Sequence, residues 1–316
     1  MSLYESVRAV IEADGEGPID WDAVATAAKE ATPPGSIDIS QAEQDGYASD
    51  VRAARRRIRS VSELSFELPE TIEIQNRHHW IDANATTFKR VMAPLEDRQA
   101  VLPGLARRVN SASLGIMLAF LGRNVLGQYD PLLLADGDEH ALYFVRPNIL
   151  TTADALDVEP ARFRRWIAFH EVTHAAEFGA APWLSAELES RMTDGIESLA
   201  NGRMTPSAFA ELTTIMTAVE GYAEFVMDRA FDDEYADLRE KVDARRRNRG
   251  PIGELMSRVL GLGLKRQQYE RGKAFFDAVA SQRDVAATGA VWSDPAYLPT
   301  DDEIENPRAW LRRVNP

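Results

Sequence analysis

A chain of 316 residues with 45% apolar and 27% charged side chains has ordinary globular composition and enough apolar residues for a sizeable core. Its 50 acidic against 36 basic residues give a formal charge of −14, a surface that repels phosphate backbones and argues against nucleic acid and anionic membranes as partners. The absence of cysteine excludes disulfides, thiolate nucleophiles and cysteine-ligated metals.

The opening, Met1 to Arg8, has no apolar leader segment, and the longest apolar run, Leu114 to Leu121, is too short to span a bilayer. A cytoplasmic location is therefore expected. Pro18, Pro33 and Pro34 divide the first 40 residues into short helices and loops. From Gln41 to Val61 the pattern is polar and rich in arginine (Arg55, Arg56, Arg57, Arg59), which reads as an exposed helix with a solvated face. Arg245, Arg246, Arg247 and Arg249 read the same way. Helices are predicted over Thr87 to Val109 and Ser111 to Leu126, the second apolar and central.

Between Pro131 and Ile149 the segments Leu132 to Ala135 and Ala141 to Val145 suggest a β-hairpin turning at Asp136-Gly137-Asp138, with Pro147 ending its second strand. Helical patterns follow over Pro160 to Phe178, Ser185 to Leu199, Pro206 to Phe231 and Tyr269 to Ala280. Pro160 and Pro206 suit first helical positions, and Gly179 suits a C-terminal cap. The expectation is a helix-rich α+β protein with a small β-sheet. It reads as a single domain over 1–316: a mostly helical part over 1–110, a metal-site core over 111–230 and a C-terminal helical cap over 231–316.

The chemistry concentrates in Phe169-His170-Glu171-Val172-Thr173-His174, an HExxH pattern inside a helix-forming run. Four residues apart, the two imidazoles project from one helical face and can share one ion about 2 Å from each nitrogen. Glu171 overhangs the same site, where it can take a proton from water acidified by zinc. A catalytic zinc needs a third protein ligand and an open position. No histidine follows His174, and the longer HExxHxxGxxH motif is absent, with Glu177 and Ala180 where its glycine and third histidine would stand.

The first candidate for the third ligand is Glu220, which at helical spacing shares an apolar face with Met216, Ala223 and Met227. Gly221 beside it leaves room for another helix to approach closely. Glu224, one turn on, is placed to accept the free N–H of a ligating histidine, whereas Asp228 lies a turn further. Glu177, on the histidine face, ranks second as a ligand because it would crowd an ion held by its own helix. Upstream His140, His78 or His79 folding back is the remaining route, although His78 and His79 beside Trp80 read as a helix-start pair. For the oxyanion donor that acyl transfer requires, Tyr222, Tyr269, Arg266, Tyr143 and His140 stand as candidates among which the sequence does not choose. Trp166, Trp183, Phe275 and Phe276 read as core. Gly261 and Gly263 make no phosphate loop, since no Gly-Lys-Ser/Thr follows.

Around these residues the chain resembles the zincin-like metallopeptidase type 2 family, some of whose members are named as hydrolases or as proteins associated with deazaflavin-coenzyme biosynthesis. The matching words are Val125 to Pro131, Pro147-Asn148-Ile149, Trp166 to Phe178 with Pro182-Trp183-Leu184, Glu220-Gly221, Met227-Asp228, Leu260 to Lys265, Gln268-Tyr269 with Gly272, and Leu298-Pro299-Thr300 before Trp310. With Asp22 in the opening Ile19 to Asp22, they span almost the whole chain. The resemblance implies a zincin-like fold with His170 and His174 as ligands, Glu171 as base and Glu220 at the family's Glu-Gly position. Where members carry histidine after that glycine, this chain has Tyr222.

The expected function is a zinc-dependent hydrolase, foremost a metallopeptidase acting on a peptide or small amide. Rival expectations are a non-catalytic zinc-stabilised scaffold and a hydrolase of a non-peptide metabolite. Glu171 separates the enzyme from the scaffold, because a structural zinc site has no need of an acid there.

Overall fold

The structure, a computed structural model, describes residues 17–69, 71–93, 103–130, 141–200, 210–231, 235–247 and 265–316. Contacts divide the chain into two compact units: Met1–Ile39, Thr71–Thr152 and Met192–Ala208 form one, and Ser40–Glu70, Ala153–Arg191 and Phe209–Pro316 the other.

In the first unit, helix α1 (Trp21–Glu30) starts at Asp20, whose side chain accepts from the Ala23 amide and so satisfies one of the donors a helix start leaves open. Helices α3 (Arg77–Val91) and α4 (Pro103–Asn124) pack against α1 and each other. Trp21, Val24, Ala28, Trp80, Ile81, Leu118 and Val145 form their shared core. Strands β1 (Thr71–Gln75), β2 (Gly127–Asp130) and β3 (Ala141–Val145) make a sheet in the order β1-β3-β2. β1 runs parallel to β3 with Thr71 opposite Ala141, and β2 antiparallel with Gly127 opposite Phe144. His78 does helix-end work: its Nε2 lies 2.7 Å from the Thr32 carbonyl oxygen, just past α1.

Three expectations change here. The break read at Asn110 does not exist, because α4 runs through it. The polar residues there tie down the segment before α1 instead, with Asn110 Nδ2 donating to Pro18 O and Ser111 Oγ accepting from the Asp20 amide. The helix read from Thr87 starts earlier, at Arg77 behind the Asn76 cap, and ends at Val91. The hairpin's first arm, its turn and His140 lie outside the described residues, while its second arm is β3, whose antiparallel partner among them is β2. Pro147 follows the end of β3 and sits in the first turn of α5 (Arg146–Ala155).

The second unit is helical. It contains α2 (Gln41–Ser62), α6 (Pro160–Ala180), α8 (Ala210–Ala230), α9 (Ala236–Arg247) and α10 (Lys265–Gln282). α7 (Leu184–Ala200) begins in it, and the short helices α11 (Val285–Thr288), α12 (Asp301–Glu305) and α13 (Pro307–Val314) close the chain. α2 is not exposed all round, as its arginines suggested: Tyr47, Val51, Ala54 and Ile58 form a buried stripe that packs on α6 and α8. Pro160 opens α6 behind Glu159, as expected of a residue with no amide to satisfy. The predicted start of α8 at Pro206 lies outside the described residues. Gly179 does not cap α6, which continues to Ala180. The glycine serves a close approach, since a Cβ there would come within 2.8 Å of Phe66 Cβ. Trp166, Phe275 and Phe276 are buried as read, and Trp183 Nε1 donates to Trp292 O at 3.2 Å.

The architecture is thus helix-rich α+β with one small three-stranded sheet. Among the described residues no helix is long and apolar enough to cross a membrane.

Candidate metal centre

The second unit carries the HExxH run in the middle of α6, where helical spacing stacks His170 under His174. Their rings meet edge to face, with centroids 4.7 Å apart and planes at 80°. The two Nε2 atoms are 3.3 Å apart. Ligands about 2.0–2.1 Å from a tetrahedral zinc stand roughly 3.3–3.4 Å from each other, so the nitrogens already have the spacing of a shared cation. Both histidines are partly buried, with the His174 side chain 14% exposed.

The third group comes from α8, which packs on α6. Glu220 Oε2 lies 4.0 Å from His174 Nε2, and one ligand atom from each of His170, His174 and Glu220 falls within 4.8 Å of the others. Gly221 explains how α8 is held there. Its missing side chain lets α10 lie directly against the backbone at Gly272, while Glu220, about 100° round the helix, turns to α6.

Buried carboxylates are concentrated around the histidine pair. Glu171, Glu177, Glu220 and Glu224 are all buried, and an uncompensated buried carboxylate is costly. Burial alone would pull His174 toward neutrality, but the charges of Glu177, Glu220 and Glu171 outweigh it and raise the imidazole to about 9. Burial, against the pull of His174 and aided by Glu220, lifts the Glu177 carboxyl to about 7. The two shifts differ in cause, neighbouring carboxylates for His174 and chiefly burial for Glu177, but both mark a buried site rich in negative charge. A dication with two imidazoles and a carboxylate fits that deficit and that donor set.

Glu171 is buried on the same turn, near enough for its charge to act on His174. Glu224 accepts a hydrogen bond from Arg239 Nη2 of α9 at 3.1 Å. Arg239 also pairs with Asp228, which Lys273 Nζ approaches to 2.8 Å. On His174 the carboxylate is that of Glu177: its Oε2 accepts from His174 Nδ1 at 2.8 Å. That places Glu177 on the ring edge away from Nε2, and so on the far side of the ring from the point where the three donors meet. The sequence offered Glu177 as a rival ligand; its partnership with Nδ1 depends on ring orientation, for which spacing gives no signal.

Of the oxyanion candidates, Tyr222 is fully buried against Phe225, Phe276 and Trp292. Burial, then the Glu177 charge, pushes its phenol above the ordinary value. Tyr143 lies on β3 of the first unit. His140 and the side chains of Arg266 and Tyr269 are outside the described residues.

No curated protein matches the chain. Among solved structures, one from Chloroflexus aurantiacus, presented as a candidate hydrolase with a novel fold, is similar to it at 30% identity and a TM-score of 0.76. The similarity covers 94% of this chain and 99% of that one. The sequence profile of the zincin-like metallopeptidases matches residues 19–206 and 195–311, which include both the HExxH helix and the helix bearing Glu220. With nearly its whole length matched and its histidine pair set at metal-ligand spacing, the chain belongs to the zincin-like metallopeptidase family.

Proposed function

We propose that the protein is a zinc-dependent hydrolase, foremost a metallopeptidase, in which His170, His174 and Glu220 hold the metal and Glu171 is the general base. The reading rests on one observation above the rest: two imidazole nitrogens of α6 and a carboxylate of α8 converge within 4.8 Å. Three protein donors leave one tetrahedral position for solvent or substrate, the arrangement of catalytic rather than structural zinc. Bound there, zinc would supply a Lewis acid that acidifies water and polarises a carbonyl.

The remaining work falls to the chain's own residues. Glu171, one residue from His170, takes the proton of the attacking water. The same carboxyl then returns that proton to the leaving amine as the amide bond breaks. The substrate is accordingly an amide, either a peptide or a smaller molecule. The net negative surface disfavours nucleic acid.

The deciding experiment pairs metal analysis with hydrolysis of a peptide and small-amide library. Glu171→Gln should retain zinc at the wild-type stoichiometry and lose roughly 10²–10⁴-fold in rate. A variant that hydrolyses as fast as wild type removes Glu171 from the mechanism. A wild-type protein that binds zinc stoichiometrically but hydrolyses nothing in the library favours the scaffold reading.

A further inference from the structure

We propose that Glu177 is a positioning residue for the metal centre: its carboxylate holds the His174 ring through Nδ1, so that Nε2 is presented to the cation, and its charge strengthens that ligand. The proposal rests on the metal reading above and adds to it a group that touches neither metal nor substrate.

The geometry gives a direct account. Glu177 follows His174 by three residues on α6, one turn along the same face. Its side chain is fully buried, and its Oε2 accepts from His174 Nδ1 at 2.8 Å. An imidazole has two nitrogens on different edges, and fixing the proton on Nδ1 leaves the lone pair on Nε2. That Nε2 faces His170 Nε2 at 3.3 Å and Glu220 Oε2 at 4.0 Å. One carboxylate thereby settles the tautomer, the rotation of the ring and its electron density. A carboxylate on the outer nitrogen of a ligating histidine does all three.

Burial makes an architectural role alone a poor account. A fully buried carboxylate costs several kcal/mol unless positive charge answers it. A glutamine would accept the same N–H without that cost. The other oxygen, Oε1, is buried with no hydrogen-bond partner among the described residues, so this charge is not held for a wider hydrogen-bond network. A charge kept under these conditions makes sense if a cation lies on the other side of the ring it touches. In the longer HExxHxxGxxH motif this position is glycine, so the arrangement is a feature of this sequence and not of the HExxH pattern.

The test compares the full-length wild type with Glu177→Gln and Glu177→Leu. Each is stripped with a chelator and titrated with zinc against a chromophoric competitor, and thermal midpoints of the stripped proteins are measured alongside. Glu177→Gln keeps an acceptor but removes the charge, and its zinc Kd should rise about 10-fold; Glu177→Leu removes both and should approach 100-fold. The midpoints of the stripped variants report stability separately, since each substitution also takes the carboxylate away from His174 Nδ1. A merely structural glutamate would lower the midpoint and leave zinc affinity alone. Glu177→Gln decides the matter should the leucine variant fail to fold: a Kd within about threefold of wild type overturns the proposal. A wild type that binds no zinc overturns the metal centre itself, a result distinct from the loss of the positioning role alone.

Discussion

Gly221 of α8 and Gly272 of α10 touch through their backbones: a Cβ on Gly221 would overlap the Cα and carbonyl carbon of Gly272, and a Cβ on Gly272 would overlap the Thr217 carbonyl oxygen. The contact sits one residue from Glu220, so it fixes the helix that carries the proposed third donor of the candidate metal centre. Neither obstacle is the end of a flexible side chain that can step aside. Gly221→Ala and Gly272→Ala should each force α8 and α10 apart and cost about 3 kcal/mol or more. Chemical denaturation measures the loss, and zinc affinity should fall with it because Glu220 moves. An alanine at either position within about 0.5 kcal/mol of wild type would show that the helices are not held this closely in solution.

Glu220→Gln tests the proposed third donor directly. The amide keeps shape and burial but loses the charge that a dication requires. Zinc affinity should fall by more than the 10- to 100-fold expected for a group beyond the ligands. Zinc should still be detectable, since the histidine pair remains at 3.3 Å. Equilibrium dialysis at low micromolar zinc reads the difference. Wild-type affinity in Glu220→Gln would require another donor opposite the imidazoles.

How much of this was legible beforehand depends on how local each feature is. The histidine pair and Glu171 occupy one helical turn, so their convergence follows from helix geometry alone. Glu220 gave a weaker signal, an acid on an apolar face, and Gly221 announced a close approach without naming its partner. Gly272, more than 50 residues on, is identified only by the fold. The same limit applies to α2, where four arginines masked the buried stripe of Tyr47, Val51, Ala54 and Ile58. Strand β1, Thr71–Gln75, does alternate between apolar and polar residues, but five residues make a faint signal, and its parallel partner β3 lies some 70 residues away. Glu177 was visible as an acid near the histidines, while its role required knowing which edge of the His174 ring it meets.

Arg239 answers the charge of Glu224 and Asp228, both on α8, from α9. Its side chain is partly exposed, at 29%, whereas Glu224 is buried. Arg239→Met should therefore destabilise the protein chiefly by stranding the Glu224 charge, by about 1–3 kcal/mol. Glu224→Gln should be milder, and adding it to Arg239→Met should restore part of the loss. That sign of coupling distinguishes a stranded charge from lost packing, and a double-mutant cycle measures it. Strictly additive losses would show that the two side chains do not depend on one another.

Glu303 ties the last two helices together, and its titration has a definite sign. Hydrogen bonds from Arg313 hold its carboxyl below the ordinary value against the opposing effect of burial, with further help from the Thr300 amide. A depressed carboxyl pKa means that the folded state favours the ionised form. The resulting stability is present above the unfolded value near 4.5 and is lost as pH falls through the lower, folded value. The site is near the surface, so the contribution at neutral pH is about 1 kcal/mol at most. Glu303→Gln should melt slightly below wild type at pH 7, and the two midpoints should converge as the pH is taken into the acid range. Thermal melts at a series of pH values test this: a gap that stays constant or widens toward acid would mean that Glu303 contributes through shape and capping, with its charge playing no part.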